Sequence, residues 1–307
     1  MDNLFGFIDR EDPSVEQFQL LDNYDKAWCF QYDMRMRFRD EDLSNAGLTE
    51  ADVEKIRVED FVFEPVFNEE KRRECAGFIR RHEWLGTIPQ YTTHWFSARW
   101  HGILAGVTLM SVPNAFSKLL GEDTDKMERL ISRGACISWS PKCLASTFLM
   151  WTIKWMVANT DFRLFTAYSD PTAKELGTIY QACNFFYLGQ SSGTVTRYVN
   201  PYTGKIVSDR FFRQKSAYKK YAQELGIRWQ KSWDKTGRID WTLVPDDVEV
   251  RLRDMSKKKI ESARRIEYPS KHKYAYVLGR DKRETKYLRK RFLELNKVYD
   301  YPKNRGE

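Results

Sequence analysis

The sequence predicts an α/β protein in which a mixed central sheet is flanked by helices, with an acidic N-terminal extension and a basic helical C-terminal extension. Three observations lead there. Strand-like runs alternate with helical periods through the middle of the chain, the charge is divided between its ends, and one strand-loop-helix-strand unit carries side chains chosen for more than packing. At 307 residues the chain can bury a sizeable core, and 15% aromatic residues set it apart from a disordered polymer.

The net charge of +8 conceals its distribution. Residues 1–70 hold 7 basic and 19 acidic side chains, net −12, whereas residues 251–307 hold 19 and 8, net +11. A basic tail interleaved with aromatics suits a polyanion such as nucleic acid, through phosphate neutralisation and counterion release. The five cysteines include no C-x-x-C pair, so they read as reduced thiols of a cytoplasmic protein, not as a disulfide framework or zinc ribbon. No apolar run approaches the roughly twenty residues of a membrane span, so no membrane partner is expected.

Taken in order, residues 1–68 form the acidic extension, with a helix start at Thr49. Residues 69–200 form the expected catalytic core. Asn68 to Arg81 reads as a helix with acids in its first turn and arginines in its last, which places His82 at a helix-to-loop junction. Thr93 to Trp100 and Ile103 to Ser111 are strands joined by a His101-Gly102 hairpin turn. Phe116 to Leu130 is a helix or ordered connection, and Ile131 to Trp139 a third strand. Ser140-Pro141 then opens a buried helix, Ser140 as N-cap and Pro141 in the first turn, and Lys142 and Ser146 stand at the mouth of an anion-receptive helix start.

Phe162 to Ser192 is the most informative stretch. A strand from Phe162 to Tyr168 ends at Ser169-Asp170-Pro171, because proline cannot donate to a ladder. A helix within Thr172 to Asn184 would bury Ile179, Ala182 and Cys183 and face Tyr180 elsewhere, and strand resumes at Phe185. Loops leaving strand ends of such units are where ligands bind. Residues 201–307 form a basic region expected to bind DNA: a turn at Pro201-Tyr202-Thr203-Gly204, helices at Arg213 to Leu225, from Asp246, and at Arg283 to Leu295, and a strand at Lys271 to Leu278. Arg264, Arg265, Lys271 and Lys273 are its candidate phosphate contacts. Trp84, Trp95 and Tyr168 are candidate stacking platforms. His82, His94, His101 and Asp170 could gather a metal ion, but no ligand spacing marks a site, and none is assigned.

This order of elements is similar to the GNAT acyltransferase fold, in which the start of the central helix receives the pyrophosphate of acyl-CoA. Arg133-Gly134-Ala135, Ser140-Pro141-Lys142 with Ser146, Tyr168-Ser169-Asp170-Pro171, Gly177-Thr178-Ile179-Tyr180-Gln181-Ala182-Cys183-Asn184 and Tyr187-Leu188-Gly189 resemble the Mom-type DNA-modifying branch of that superfamily, encoded by bacteriophages. The tail motifs Lys271-His272-Lys273-Tyr274 and Tyr301-Pro302-Lys303 extend the resemblance to roughly residues 70–303. It implies a transferase that places an acyl-type group, carbamoyl- or aminoacyl-like, on a base in double-stranded DNA and so protects it from restriction. It also implies an acyl-CoA donor held by Ser140, Pro141, Lys142 and Ser146, and Asp170, Tyr180, His82 and Ser146 as catalytic residues, with Tyr274 joining the nucleic-acid contacts. The usual GNAT Gln/Arg-x-x-Gly-x-Gly/Ala loop is absent between Ile137 and Leu144, and His82 is followed by Glu83 where the family has tyrosine. Two other readings share this fold: an acetyltransferase of a protein or small molecule, and a non-catalytic DNA-binding protein.

Overall fold

The computed structural model describes residues 29–190, 194–200, 206–236 and 238–303. The turn expected at Pro201 to Gly204 lies outside them. The described residues divide into two compact units, one of residues 29–190 with 270–303 and the other of residues 194–269.

The first unit is built on a seven-stranded sheet. Its strands are β1 (Phe61–Pro65), β2 (Thr92–Trp100), β3 (Ile103–Ser111), β4 (Glu128–Cys136), β5 (Leu164–Ser169), β6 (Phe186–Gln190) and, from the far end of the chain, β12 (His272–Val277). Their spatial order is β1-β2-β3-β4-β5-β12-β6. Every neighbouring pair is antiparallel except β4 and β5. The β2-β3 turn falls at His101 and Gly102, both at positive φ, which matches the hand of a tight hairpin.

Helices α1 (Phe30–Arg37), α2 (Arg39–Ala46), α3 (Glu50–Val53), α4 (Glu69–His82), α5 (Leu144–Asn159), α6 (Thr178–Ala182) and α9 (Lys282–Leu295) belong to this unit. α4 starts as expected: the Asn68 side chain accepts from the N–H groups of Glu70 and Lys71, and the acids of the first turn complement the dipole. Phe96, Met110, Phe148, Ile153, Met156, Phe165 and Tyr274 form one core cluster against the sheet, and Ile79, Val107, Leu109, Trp139 and Leu144 belong to another. Phe30, Leu43 and Ile56 are also buried, so this part of the acidic extension is packed into the unit.

Several boundaries differ from the sequence-based expectation. The strand expected at Ile131 to Trp139 begins three residues earlier, at Glu128, because Glu128 is buried and bonded to Ser117 and Thr166. α5 starts at Leu144 with Cys143 as N-cap, and no side chain caps it. Ser140 is instead buried, its hydroxyl donating to the Ile137 carbonyl. Between Thr172 and Asn184 the chain makes a 3-10 turn, Pro171–Ala173, and the five-residue α6, with Cys183 buried but Ala182 exposed. The edge strand β1 carries no periodic signal, and its pairing with β2 from Phe61↔Trp100 to Pro65↔Phe96 is a product of tertiary structure.

The second unit contains β7 (Thr194–Val199), β8 (Ile206–Val207), α7 (Lys215–Glu224), the small ladder β9 (Asp234–Lys235) and β10 (Arg238–Ile239), α8 (Asp246–Ser262) and β11 (Arg265–Pro269). Its three-stranded sheet has the order β11-β7-β8. Tyr218, Tyr221, Trp233, Ile239, Val244 and Leu252 are among its core residues.

Candidate active site

The parallel pair positions the site. β4 and β5 run in register from Glu128↔Leu164 to Ile131↔Ala167, and among the described residues they pair no further, although β4 continues to Cys136 and β5 to Ser169. The extra residue Ser132, between the Leu109↔Arg133 and Met110↔Ile131 pairs, marks a bulge where β4 turns away. A crevice outside the carboxyl ends of parallel strands is the usual ligand position in α/β sheets.

β5 delivers Asp170 to this crevice. One carboxylate oxygen accepts from the Thr172 N–H at 3.0 Å and the Thr172 hydroxyl at 2.6 Å, capping the 3-10 turn. The other meets the Lys271 ammonium at 3.0 Å. Register explains this pair: His272 of β12 lies opposite Ser169, so the preceding Lys271 comes level with Asp170. Burial acts to raise the Asp170 carboxyl, but Lys271 and the Thr172 bonds outweigh it, and the group stays below the ordinary carboxylate range.

Two glutamates complete the cluster. Glu175 accepts from the Asp170 N–H at 3.3 Å, and burial together with the negative charges of Glu83 and Asp170 pushes it up to about 7. Glu83, the residue after α4, is also pushed up to about 7, by burial that Arg133 opposes. It accepts from the Gly86 N–H at 2.9 Å, and the Arg133 guanidinium is 3.7 Å away. Arg133 is fixed by bonds to the Thr87 carbonyl and hydroxyl, both 2.9 Å.

Tyr180 faces the same charges. Burial, then Glu175 and Glu83, drives its phenol well above the ordinary tyrosine range, so it keeps its proton at neutral pH. Its ring packs against Phe185 and Tyr274, each with centroids 5.3 Å away. The turn before it requires glycine: Gly177 has φ +68°, and a Cβ there would lie 2.5 Å from the Tyr274 ring. The C-terminal motif locks the arrangement, Tyr301 donating to the Phe185 carbonyl at 2.7 Å.

The other expected residues sit elsewhere or play different parts. His82 is 2% exposed in a pocket with Phe78, Phe38 and Asp42, its Nδ1 3.8 Å from Asp42 and without a hydrogen-bond partner. Burial and Arg81 lower it to about 4, so it is a neutral ring packed in that pocket. Ser138 and Ser140 accept from Arg35 and Arg39 of the N-terminal helices, which withdraws Ser140 from the mouth of α5. Lys142 remains exposed there, and Ser146, half-buried in the first turn, donates to the Cys143 carbonyl while its own carbonyl receives the Cys183 thiol. Pro141 closes the turn before α5 by accepting from the Leu144 N–H.

Tyr168 is 43% exposed on β5 beside Lys273, whereas Tyr274 is fully buried with its hydroxyl on the Leu176 carbonyl, a position that removes it from nucleic-acid contact. Arg264 and Arg265 are exposed in the second unit. Trp84 packs on Phe30, and Trp95 packs against the core. His94 lies against Trp155 and Phe162, and among the described residues no three His, Cys, Asp or Glu side chains gather as a metal site would require. Among the described residues, no helix is long and apolar enough to cross a membrane.

The first unit is thus a helix-flanked mixed sheet parted at the one pair that is parallel among the described residues, with a carboxylate and tyrosine cluster at the parting. The model of the Mom protein family matches residues 66–303, and the chain belongs to that family. Among solved structures, a putative acetyltransferase from Salmonella typhimurium with its cofactor acetyl-CoA is similar at 9% identity, covering 73% of this chain and 95% of its own, with a TM-score of 0.35. A GNAT family acetyltransferase from Elizabethkingia anophelis with acetyl-CoA bound is similar at 8% identity, covering 71% and 99%, with a TM-score of 0.31. An N-acetyltransferase from Staphylococcus aureus Mu50 is 16% identical over 44% of this chain and 87% of its own, with a TM-score of 0.32. A search of curated proteins gave no match.

Proposed function

We propose that this chain transfers an acyl-type group from an acyl-CoA donor to an amine of a base in double-stranded DNA, a modification that would shield phage DNA from restriction. Membership of the Mom family supports the reading. The observation that carries it is the pairing, at the strand-end crevice, of two carboxyls held near 7 with a tyrosine that stays protonated.

Transfer to an amine requires an acceptor for the amine proton and a donor for the leaving sulfur. Asp170 is poorly suited as the acceptor because Lys271 and Thr172 already stabilise its charge, so it serves to hold Lys271 and the turn in place. Glu175 is the better base: its carboxyl titrates near neutrality, where a base is both available and strong enough. Tyr180 supplies a proton to the departing sulfur and recovers one from the Glu175 side of the cluster. An acyl-CoA donor, when bound, would supply the activated thioester. The residues present fit its diphosphate at the start of α5, where no side chain caps the helix and Lys142 is exposed. The half-exposed Tyr168 is the aromatic available to a base rotated out of the duplex.

Mass spectrometry of nucleosides from DNA of cells expressing the protein tests this reading. A new nucleoside mass with the wild type, absent with Glu175→Gln, is the expected result. Unmodified DNA in both, together with no release of CoA when the purified protein meets DNA and acetyl-CoA, would refute it.

A further inference from the structure

The second unit holds a basic groove of about 580 Å³ that the crevice chemistry does not use. Residues 193–269 carry 18 Lys and Arg against 10 Asp and Glu, net +8, which equals the charge of the whole chain and leaves the remaining residues neutral in sum. The groove concentrates that charge. Arg210, Arg213, Lys215, Lys235 and Arg238 line it together with Trp241, and among the described residues Asp240 is the only carboxylate in the lining.

Three of the cations have acidic neighbours: Arg213 is 3.5 Å from Asp209, Lys215 3.5 Å from Asp234, and Lys235 2.6 Å from Asp240. Arg210 and Arg238 are exposed and, among the described residues, pair with no carboxylate. α7 opens on Lys215 with no acid in its first turn, so a cation stands where the helix dipole prefers an anion. Trp241 is held edge-on by Tyr218, centroids 5.0 Å apart, is half-buried, and carries the Arg253 guanidinium over its ring at 4.4 Å, so the indole is fixed in place. Two unpaired guanidiniums, a helix start that favours negative charge and a fixed indole meet the chemistry of a nucleic-acid strand: phosphates for the arginines and a base or sugar for the ring. The volume lies within the range of a ligand pocket.

We propose that this groove is a backbone grip for the DNA substrate, with Arg210 and Arg238 as phosphate contacts. The inference rests on the reading of the protein as a DNA-modifying enzyme and adds where the duplex is held. The test is fluorescence anisotropy of a labelled duplex titrated with the full chain at several salt concentrations. The Arg210→Ala/Arg238→Ala variant is compared with the wild type and with Lys282→Ala/Lys286→Ala, a charge-matched control on α9. The groove variant is expected to bind about tenfold or more weakly, with the slope of log K against log salt smaller by about two, while its thermal transition and the control's affinity stay near wild type. Restoration of the slope by Arg210→Lys/Arg238→Lys is expected as well. Wild-type affinity and slope in the groove variant, or an equal loss in the control, would overturn the proposal while the proposed activity stands. Absence of DNA binding by the wild type would instead bring down the functional reading and the grip with it.

Discussion

His82 and Glu83 are neighbours in the chain and both are buried, yet they belong to different regions of the molecule. His82 ends α4 inside a pocket made by the N-terminal helices, where Asp42 accepts from Arg81 and Ser138 and the histidine ring is a neutral filler beside Phe78. Glu83, one residue on, enters the crevice and joins Asp170 and Glu175. Burial has opposite consequences in the two places: it pushes the histidine down to about 4 and the glutamates up to about 7, in each case by penalising the charged form. The difference is that His82 is a single ring among packed side chains, whereas Glu83, Asp170 and Glu175 are carboxylates near enough to perturb one another at the parting of β4 and β5.

The comparison can be broken most directly by exchanging the two roles. Glu175→Gln should lower the modification rate by about 10²- to 10⁴-fold, as loss of a general base does, whereas His82→Asn should keep the wild-type rate per folded molecule. Equal losses in the two variants, measured as nucleoside product per unit of folded protein, would place His82 in the chemistry after all. Next in size is Gly177→Ala, which opposes both a left-handed backbone and the Tyr274 ring. It should destabilise the fold by more than about 1 kcal/mol in denaturant unfolding and take activity down with it.

The pH dependence of stability sharpens the contrast further. Glu83 and Glu175 bind protons more tightly folded than unfolded, so their contribution is full below about 4.5 and is lost as pH rises through about 7. His82 binds its proton less tightly when folded, so its contribution is present above about 6.5 and is lost as pH falls towards about 4. Denaturation midpoints across this range should flatten on the alkaline side in Glu175→Gln and on the acid side in His82→Asn. Lys271→Ala should move the acid limb of the activity profile upward, because the ammonium that holds down Glu175 is gone. The smallest effect belongs to Thr172→Ala, which removes a hydroxyl bond to Asp170 and should cost about 1 kcal/mol of stability or less, with no displacement of the pH profile.

Much of the sheet was legible from local signals. The β2-β3 hairpin announced itself by His101-Gly102 between two apolar runs, α4 by Asn68 and its charge order, and Asp170 by the proline that ends its strand, because each depends on backbone preferences within a few residues. Tyr180 and Asp170 were singled out as catalytic by the family resemblance of the motifs that hold them, not by periodicity. Glu83 and Glu175 could not be singled out: Glu83 follows His82 and Glu175 lies between Asp170 and Tyr180 in the chain, but their carboxyls are raised only through the burial and like charge that folding brings. Lys271 read as a phosphate contact because charge counts ignore register, and only the pairing of β12 with β5 sets it against Asp170. Tyr274 was expected at the nucleic acid from the resemblance of its tail motif, and the sheet buries it. Local pattern, charge and motif identity thus determined most of the elements, the basic tail and the family, which rest on short-range preferences and on residue identity. The strand order that inserts β12 between β5 and β6, the parting of β4 from β5 and the raised carboxyls of Glu83 and Glu175 were decided by tertiary structure, because they arise from contacts between residues some tens to about a hundred positions apart.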